Sequence, residues 1–176
     1  VMSIDEPIDA STPASEGIDG LADRIAGDVD VSERTRRLYA TDASIYQVEP
    51  AGVVAPASRE DVQTVVDFAR DNDTSVVARG AGSSLTGNAV GEGIVVDTSR
   101  HLDAVVDVDP EAQTVRVQPG VVLDELNERL AAHDLYFPPD PSTSSTCTIG
   151  GMVANDAAGP HSVRHGTTRD NVRSVE

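Results

Sequence analysis

Apolar residues recur at helical spacing in four parts of the chain and predict four helices. The clearest pattern lies after Ser58, where the apolar positions between 62 and 69 fall on one face. Ser58 suits the N-cap of this helix, and Asp61 stands three residues on, close to a capping box. The other predicted helices cover residues 18–25, residues 32–39 with Ser32 as N-cap, and residues 121–133.

Short valine-rich runs bounded by proline or glycine predict five strands, at residues 52–56, 75–79, 93–99, 104–108 and 114–117. The element order predicts an α+β fold with mixed strand pairing rather than a regular strand–helix alternation. After residue 133 we expect irregular structure, with the first residues of a further strand at 172–176. Because a long irregular stretch is uncommon inside a compact domain, we expect the chain that covers it to lie beyond residue 176.

The charge balance is the strongest feature of the composition. The 176 residues include 30 acidic and 13 basic ones, the net charge is −17, and every basic residue is arginine. Such a chain repels phosphate backbones, and 3 % aromatic residues are too few for base-stacking platforms, so we exclude nucleic acid as a partner. Dispersed acidity without lysine is typical of the cytoplasmic proteins of extreme halophiles; the alternative is an ordinary acidic mesophilic protein.

Nothing in the sequence indicates a membrane or an oxidising compartment. The single cysteine, Cys147, cannot form an internal disulfide, and we expect it to be a small packed residue near a cofactor. No apolar run approaches the roughly 20 residues of a membrane span. Residues 1–15 are acidic, unlike a signal peptide, and are predicted to be mobile, with an N-terminal helical segment at residues 16–48. We expect a cytoplasmic protein.

A glycine-rich run at residues 79–88 follows a predicted strand and is the first candidate site. Glycines permit positive φ and close approach, so successive N–H groups can form an anion-binding nest. Hydroxyl side chains add donors, and Arg79 adds a positive charge. A P-loop is excluded because the chain has no lysine, and the GxGxxG fingerprint is excluded because Leu85 stands where it needs glycine. We predict a phosphate-binding loop, with a flexible turn as the alternative.

Residues 137–172 form the second candidate site. A double proline fixes the entry, the glycine pair at 150–151 permits close approach, and the small residues beyond leave room for a flat ring system. The alternative is a long flexible loop, but a disordered tether would have no use for Ile149 and Met152.

Two histidines in this segment, His161 and His165, stand four residues apart, a spacing that would suit a metal-binding pair on a helix. Gly159, Pro160 and Gly166 argue against a helix there. We therefore expect both histidines to stabilise turns through hydrogen bonds.

Taken together, these motifs resemble the FAD-linked oxidase superfamily, the PCMH-type or vanillyl-alcohol-oxidase flavoproteins. The motifs are VARGAGSSLTG, QPGV, FPPDPS and TIGGMVAND followed by GPHSVRHGTTRDNV, and the resemblance runs from about residue 53 to residue 172. The branch most similar to this chain holds the glycolate oxidase flavin subunit, D-lactate dehydrogenase and D-2-hydroxyglutarate dehydrogenase. The resemblance implies a PCMH-type FAD-binding domain at residues 49–176, with the first subdomain complete and the second truncated.

The resemblance also implies which residues bind FAD. Covalent members often carry histidine in the glycine-rich loop, where this chain has Ser83, so the implied FAD is non-covalent. Asp156 and Ala158 depart from the family pattern. At the diphosphate the implied residues are Arg79, Gly80, Ala81, Gly82, Ser83, Ser84, Leu85, Thr86 and Gly87, and along the rest of the cofactor they are Pro139, Asp140, Ile149, Gly150, Gly151, Ala154, Asn155 and Gly159.

The implied reaction is oxidation of a small D-2-hydroxy acid to the 2-oxo acid, with a quinone or an iron–sulfur protein as electron acceptor. In the family a separate domain binds the substrate, so no catalytic residue is assigned, and this chain alone is expected to be inactive. The alternatives are a truncated non-catalytic fragment that binds FAD weakly or not at all, and another PCMH-type enzyme such as a sugar or alditol oxidase.

Overall fold

The computed structural model describes residues 17–176, so the predicted mobile segment at residues 1–15 lies outside the described residues. The strands are β1 (Asp28–Asp30), β2 (Gly52–Ala55), β3 (Val76–Arg79), β4 (Ile94–Asp97), β5 (Val105–Asp109) and β6 (Thr114–Val117). The helices are α1 (Glu33–Tyr39), α2 (Arg59–Asp71), α3 (Leu123–Ala131), α4 (Ile149–Asn155) and α5 (Ser162–His165). Two 3₁₀ turns lie at Asp19–Asp23, inside the first predicted helix, and at Arg169–Asn171.

Four strands form a mixed sheet in the order β1-β2-β4-β3. β1 pairs antiparallel with β2, whereas β2 and β3 both pair parallel with β4. β2 and β4 are buried along their whole length, as continuous apolar runs in parallel pairs require. The predicted mixed pairing is confirmed. β1 was not predicted, because its sequence Asp-Val-Asp carries no strand signal.

Two apolar cores stabilise the fold. The first lies between the four-stranded sheet, α2 and the first 3₁₀ turn, and includes Leu21 and Val65. The second lies between α3 and α4, with Leu126 at its centre, and the β5–β6 hairpin packs against it. Cys147 is buried in this second core, as predicted for a small packed residue, and burial raises the pKa of its thiol.

The prediction of irregular structure after residue 133 is wrong, because α4, α5 and a 3₁₀ turn lie there. α4 begins after Thr148, whose hydroxyl accepts a hydrogen bond from the Gly151 amide, and ends at Asp156 in the left-handed conformation. The glycine pair hid this helix, since each glycine costs a helix about 1 kcal/mol relative to alanine. The burial of Ile149 and Met152 in the second core compensates for that cost.

Two further predictions in this region are wrong. Ser162–His165 form α5 despite the neighbouring glycines and proline, because Pro160 precedes the helix and Gly166 ends it with a φ of 80°. Residues 172–176 form no strand in the part of the chain that the structure describes.

A buried carboxylate joins the N-terminal segment to α2. Asp61 is 5 % exposed, and its carboxylate accepts from the amides of Ala26 and Gly27 at 3.1 and 2.9 Å. It also accepts from the Ala57 amide at 2.8 Å, one residue before the position that a capping box would use. The Asp61 amide donates to the hydroxyl of Ser58, which confirms the predicted N-cap. Burial raises the pKa of Asp61, but these hydrogen bonds outweigh burial and hold the pKa below its usual value.

Replacing Asp61 by Asn should lower the free energy of unfolding by roughly 2–3 kcal/mol at pH 7, because buried amides lose their charged acceptor. Urea unfolding measures this, with Glu60→Gln on the exposed side of the same turn as the control. Because the pKa of Asp61 is lower in the folded than in the unfolded chain, its carboxylate stabilises the fold at any pH above the unfolded pKa of about 3.9. This stabilisation is lost as the pH falls through the pKa of the folded state. The difference between wild type and Asp61→Asn should therefore shrink in strong acid; a pH-independent difference would contradict this account.

Candidate functional site

The glycine-rich loop, residues 80–88, leaves the sheet at the carboxyl end of β3. β3 and β4 are parallel, and the carboxyl ends of parallel strands are where open sheets bind ligands. Gly82 adopts a φ of 66°, a left-handed conformation that turns the loop sharply and that a residue with a Cβ atom adopts only with strain. The loop is therefore placed and shaped as the sequence predicted.

Successive backbone amides of this loop are unpaired. Among residues 17–176, the amides of residues 81–85 donate to no protein acceptor, whereas those of Thr86 and Asn88 both donate to the Ser84 hydroxyl. The Gly82 carbonyl accepts from the Ala43 amide at 3.1 Å. A run of free amide donors is what an anion-binding nest requires, and the Ser84 hydroxyl shapes the loop.

The Arg79 side chain is directed toward backbone carbonyls beneath the loop. Its Nη1 donates to the carbonyls of Thr41 and Ala89 at 2.9 and 3.0 Å. A third, longer contact of 3.5 Å reaches the carbonyl of Tyr39, and the guanidinium lies 5.1 Å from the centre of the Tyr39 ring. The predicted positive charge is thus present at the loop, but its donor Nη1 is occupied by the protein.

The two candidate segments come together at α4. A Cβ atom on Gly80 would overlap the Thr148 hydroxyl, so the loop packs directly against the N-cap of α4. At the other end of the helix, the Asn88 side-chain amide donates to the Asn155 side-chain oxygen at 2.8 Å. The sequence did not single out Thr148; the only signal for it was a threonine just before a short apolar run.

The first turn of α4 offers no free donors. The amides of Ile149 and Gly150 donate to the carbonyls of Val121 and Pro119, both at 2.8 Å, and Gly151 donates to Thr148. A Cβ on Gly150 would lie 2.6 Å from the Pro119 Cβ, so this glycine permits close packing of α4 on the QPGV turn. A Cβ on Gly151 would approach only its own N-cap hydroxyl, at 3.3 Å. Gly151 and the exposed Ala154 and Asn155 are thus the accessible residues of α4.

The remaining predicted residues form a separate turn. The Asp140 carboxylate accepts from the His161 amide at 3.0 Å and lies 2.7 Å from His161 Nδ1, and Gly159 packs on the Asp140 carbonyl. His165 Nε2 lies 3.2 Å from the Tyr136 hydroxyl. His161 thus stabilises the turn at Asp140, as predicted, whereas His165 is the last residue of α5 and contacts Tyr136 instead of a turn. Within residues 17–176 no group of His, Cys, Asp or Glu side chains is arranged to hold a metal ion.

Comparison with known proteins shows the family to which this chain belongs. The family described as an FAD binding domain matches residues 50–176. A D-2-hydroxyglutarate dehydrogenase of Pseudomonas putida is 40 % identical over 149 residues, which is 83 % of this chain and 15 % of that protein. The glycolate oxidase subunit GlcD of Bacillus subtilis is 32 % identical over 149 residues, 84 % of this chain and 32 % of that protein. This chain therefore spans 15 to 32 % of the length of these two curated relatives.

Solved structures share the fold. An alkyldihydroxyacetonephosphate synthase superposes with a TM-score of 0.80 at 21 % identity, over 97 % of this chain and 34 % of that chain. The wild-type BBE-like 1 protein of Physcomitrella patens superposes with a TM-score of 0.72 at 19 % identity, over 87 % of this chain and 34 % of that chain. The predicted α+β fold is confirmed. Between residues 17 and 176 the helices are all too short or too polar to cross a bilayer.

The two neighbouring glycines of α4 should respond oppositely to alanine. Gly150→Ala should lower the free energy of unfolding by about 1–3 kcal/mol, because the added methyl group meets Pro119 in a packed interface. Gly151→Ala should leave stability unchanged or raise it by up to about 1 kcal/mol, since alanine favours a helix and the added Cβ meets only the Thr148 hydroxyl, at 3.3 Å. Urea unfolding of both variants measures this, and equal losses would contradict the assigned packing.

Proposed function

The chain belongs to the FAD binding domain family, and on that premise we propose that its glycine-rich loop holds the diphosphate of non-covalently bound FAD. The observation that carries the proposal is the run of unpaired amides at residues 81–85, next to the left-handed Gly82. The run from Arg79 to Asn88 contains no carboxylate, although the chain has a net charge of −17. An anionic diphosphate would meet no carboxylate within this run of the sequence.

The second wall of the proposed cofactor site is α4. Its accessible residues, Gly151, Ala154 and Asn155, are assigned to contact FAD beyond the diphosphate. Among the other residues that the family resemblance implied, Ile149 and Gly150 fix α4 in place. Pro139, Asp140 and Gly159 belong to the adjoining turn, which we assign to the edge of the cofactor site.

Ser83 supports non-covalent binding. It is exposed in the loop, where covalent members of the family carry histidine, and a hydroxyl offers no ring nitrogen to join to the flavin. FAD held by this chain should therefore be released by denaturation.

The function proposed for the whole protein is oxidation of a D-2-hydroxy acid to the corresponding 2-oxo acid. The similar proteins named D-2-hydroxyglutarate dehydrogenase, glycolate oxidase subunit and D-lactate dehydrogenase support this substrate class. Oxidation would remove two electrons and two protons in total from the carbon and its hydroxyl; bound flavin would accept the electrons and pass them on to a quinone or an iron–sulfur protein. The residues of this chain hold and orient the cofactor, and we assign none of them to proton abstraction. Alone, the chain binds FAD without turnover.

Flavin binding can be tested directly on this 176-residue chain. Wild type should bind FAD saturably in about 1 M KCl, seen as a change of flavin fluorescence. Gly82→Val should weaken binding by about tenfold or more, because valine does not tolerate the φ of 66° and its Cβ would overlap the Arg79 guanidinium. Gly20→Ala is the matched control, since a Cβ there meets nothing within 4 Å. Unchanged affinity in a folded Gly82→Val variant would refute the assignment of the diphosphate.

We also propose that the protein works in the cytoplasm of a salt-adapted cell, on the support of its net charge of −17 and its lack of lysine. The thermal unfolding midpoint should rise between about 0.1 M and 2 M KCl, because salt screens the repulsion among carboxylates. Asp73→Asn and Asp134→Asn together should flatten this rise, since both residues are exposed at positive φ, which asparagine tolerates. A midpoint that falls with KCl would contradict the proposal.

A further inference from the structure

Arg79 connects the two ends of the glycine-rich loop to the chain around Tyr39 and Thr41, about forty residues earlier in the sequence. Arg79 is the last residue of β3, and its Nη1 donates to the carbonyl of Ala89, where the loop ends. The same nitrogen donates to the carbonyl of Thr41 and contacts that of Tyr39, both just after or at the end of α1. One guanidinium thus holds the start of the loop, the end of the loop and the chain after α1.

The segment at the end of α1 and after it, residues 39–46, contacts the loop at two more points. The Ala43 amide donates to the Gly82 carbonyl at 3.1 Å. The Asp42 carboxylate accepts from the Ala89 amide at 3.3 Å. Burial raises the pKa of Asp42, but hydrogen bonds from Ser44 and Ala89 and the charge of Arg79 outweigh it and keep the pKa below its usual value. Asp42 is therefore a carboxylate, held beside a site for an anion.

This segment is in turn anchored to the sheet. The Tyr39 hydroxyl donates to Asp97 at 2.6 Å, and Asp97 is 4 % exposed at the end of β4. Arg100 donates to the same hydroxyl at 3.1 Å. Burial and the Asp97 carboxylate raise the pKa of Tyr39, so the hydroxyl remains a donor. Residues 39–46 are therefore hydrogen-bonded both to the end of β4 and to the loop.

We infer that Arg79 is a positioning residue for FAD, and that residues 39–46, which lie before the family match at residues 50–176, belong to the flavin site. The inference rests on the proposed flavin binding and deepens it. Arg79 acts through the carbonyls that it holds, which keep the loop amides aligned, rather than through its charge on the diphosphate. All three contacts use Nη1, which the rigid planar guanidinium holds at a fixed position, whereas the ammonium group of lysine ends a flexible stem.

Two substitutions separate positioning from charge. Arg79→Lys keeps the positive charge and loses the planar fork, and Arg79→Met keeps the apolar stem and loses both. If Arg79 positions the loop, both variants should raise the FAD dissociation constant by about tenfold, to a similar degree and at all KCl concentrations. If Arg79 acts by charge, Arg79→Lys should bind like wild type, and the effect of Arg79→Met should fade as KCl rises.

For the variant Asp42→Ala, electrostatics and loop support predict opposite changes in FAD affinity. Removing a carboxylate beside an anion site should tighten FAD binding on electrostatic grounds, whereas losing the acceptor for the Ala89 amide should weaken it if residues 39–46 shape the loop. We expect weakening of severalfold, and tighter or unchanged binding would overturn the inference. Arg129→Met is the matched control, because Arg129 is exposed on α3 and its side chain forms no hydrogen bond or ion pair with residues 39–46.

Amide hydrogen exchange at Ala43 and Ala89, without FAD, supplies a measurement independent of flavin binding. Both amides should exchange about tenfold or more faster in Arg79→Lys and Arg79→Met than in wild type and Arg129→Met, while the amides of α2 exchange as in wild type. If wild type fails to bind FAD, the proposed function fails, and the exchange rates still decide whether Arg79 holds the loop. Exchange at Ala43 and Ala89 that is unchanged in both Arg79 variants would overturn the inference.

Discussion

An anion at this loop has to be held mainly by backbone amides. The net charge is −17, lysine is absent, and the Nη1 donor of Arg79, which precedes the loop, is occupied by carbonyls of the protein. Backbone amides attract an anion only while they stay unpaired and point the same way. The loop must therefore be supported through other groups. These are the Gly82 carbonyl, the Ala89 carbonyl and the packing of Gly80 on Thr148.

Much of the fold and the family could be predicted from sequence. Valine-rich runs predicted β2, β3 and β4. β2 and β4 are buried on both faces, as parallel strands with continuous apolar runs usually are, whereas β3 lies at the sheet edge and is only partly buried. The glycine-rich loop could be located because glycine is required where the backbone adopts a positive φ, as at Gly82. The order of the motifs then sufficed for the resemblance to flavoproteins, which the match to the FAD binding domain family bears out.

The sequence was least informative where long-range packing decides local structure. α4 contains two adjacent glycines and forms because Ile149 and Met152 enter the second core and Thr148 caps the first turn. Its two glycines also look alike in sequence, yet a Cβ on one would meet the Pro119 ring and backbone, whereas a Cβ on the other would meet only the Thr148 hydroxyl. The direction of the Arg79 side chain depends on where the chain after α1 lies, which periodicity does not reveal. These details come from contacts between residues far apart in the sequence.

The placement of the loop between the two cores has a consequence for how the fold and the cofactor depend on each other. Gly80 extends directly from the first core's sheet, and it packs on Thr148, the residue that caps a helix of the second core. Asn88 and Asn155 join the same two units at the far end of α4. Any ligand that bonds to the loop amides and also rests on α4 contacts both units at once. Its binding energy therefore stabilises their relative position as well as each unit, since a ligand that binds only the native arrangement shifts the equilibrium toward it. Without a ligand the unpaired amides form no bond that stabilises the fold. With a ligand bound, they help to hold the two cores together.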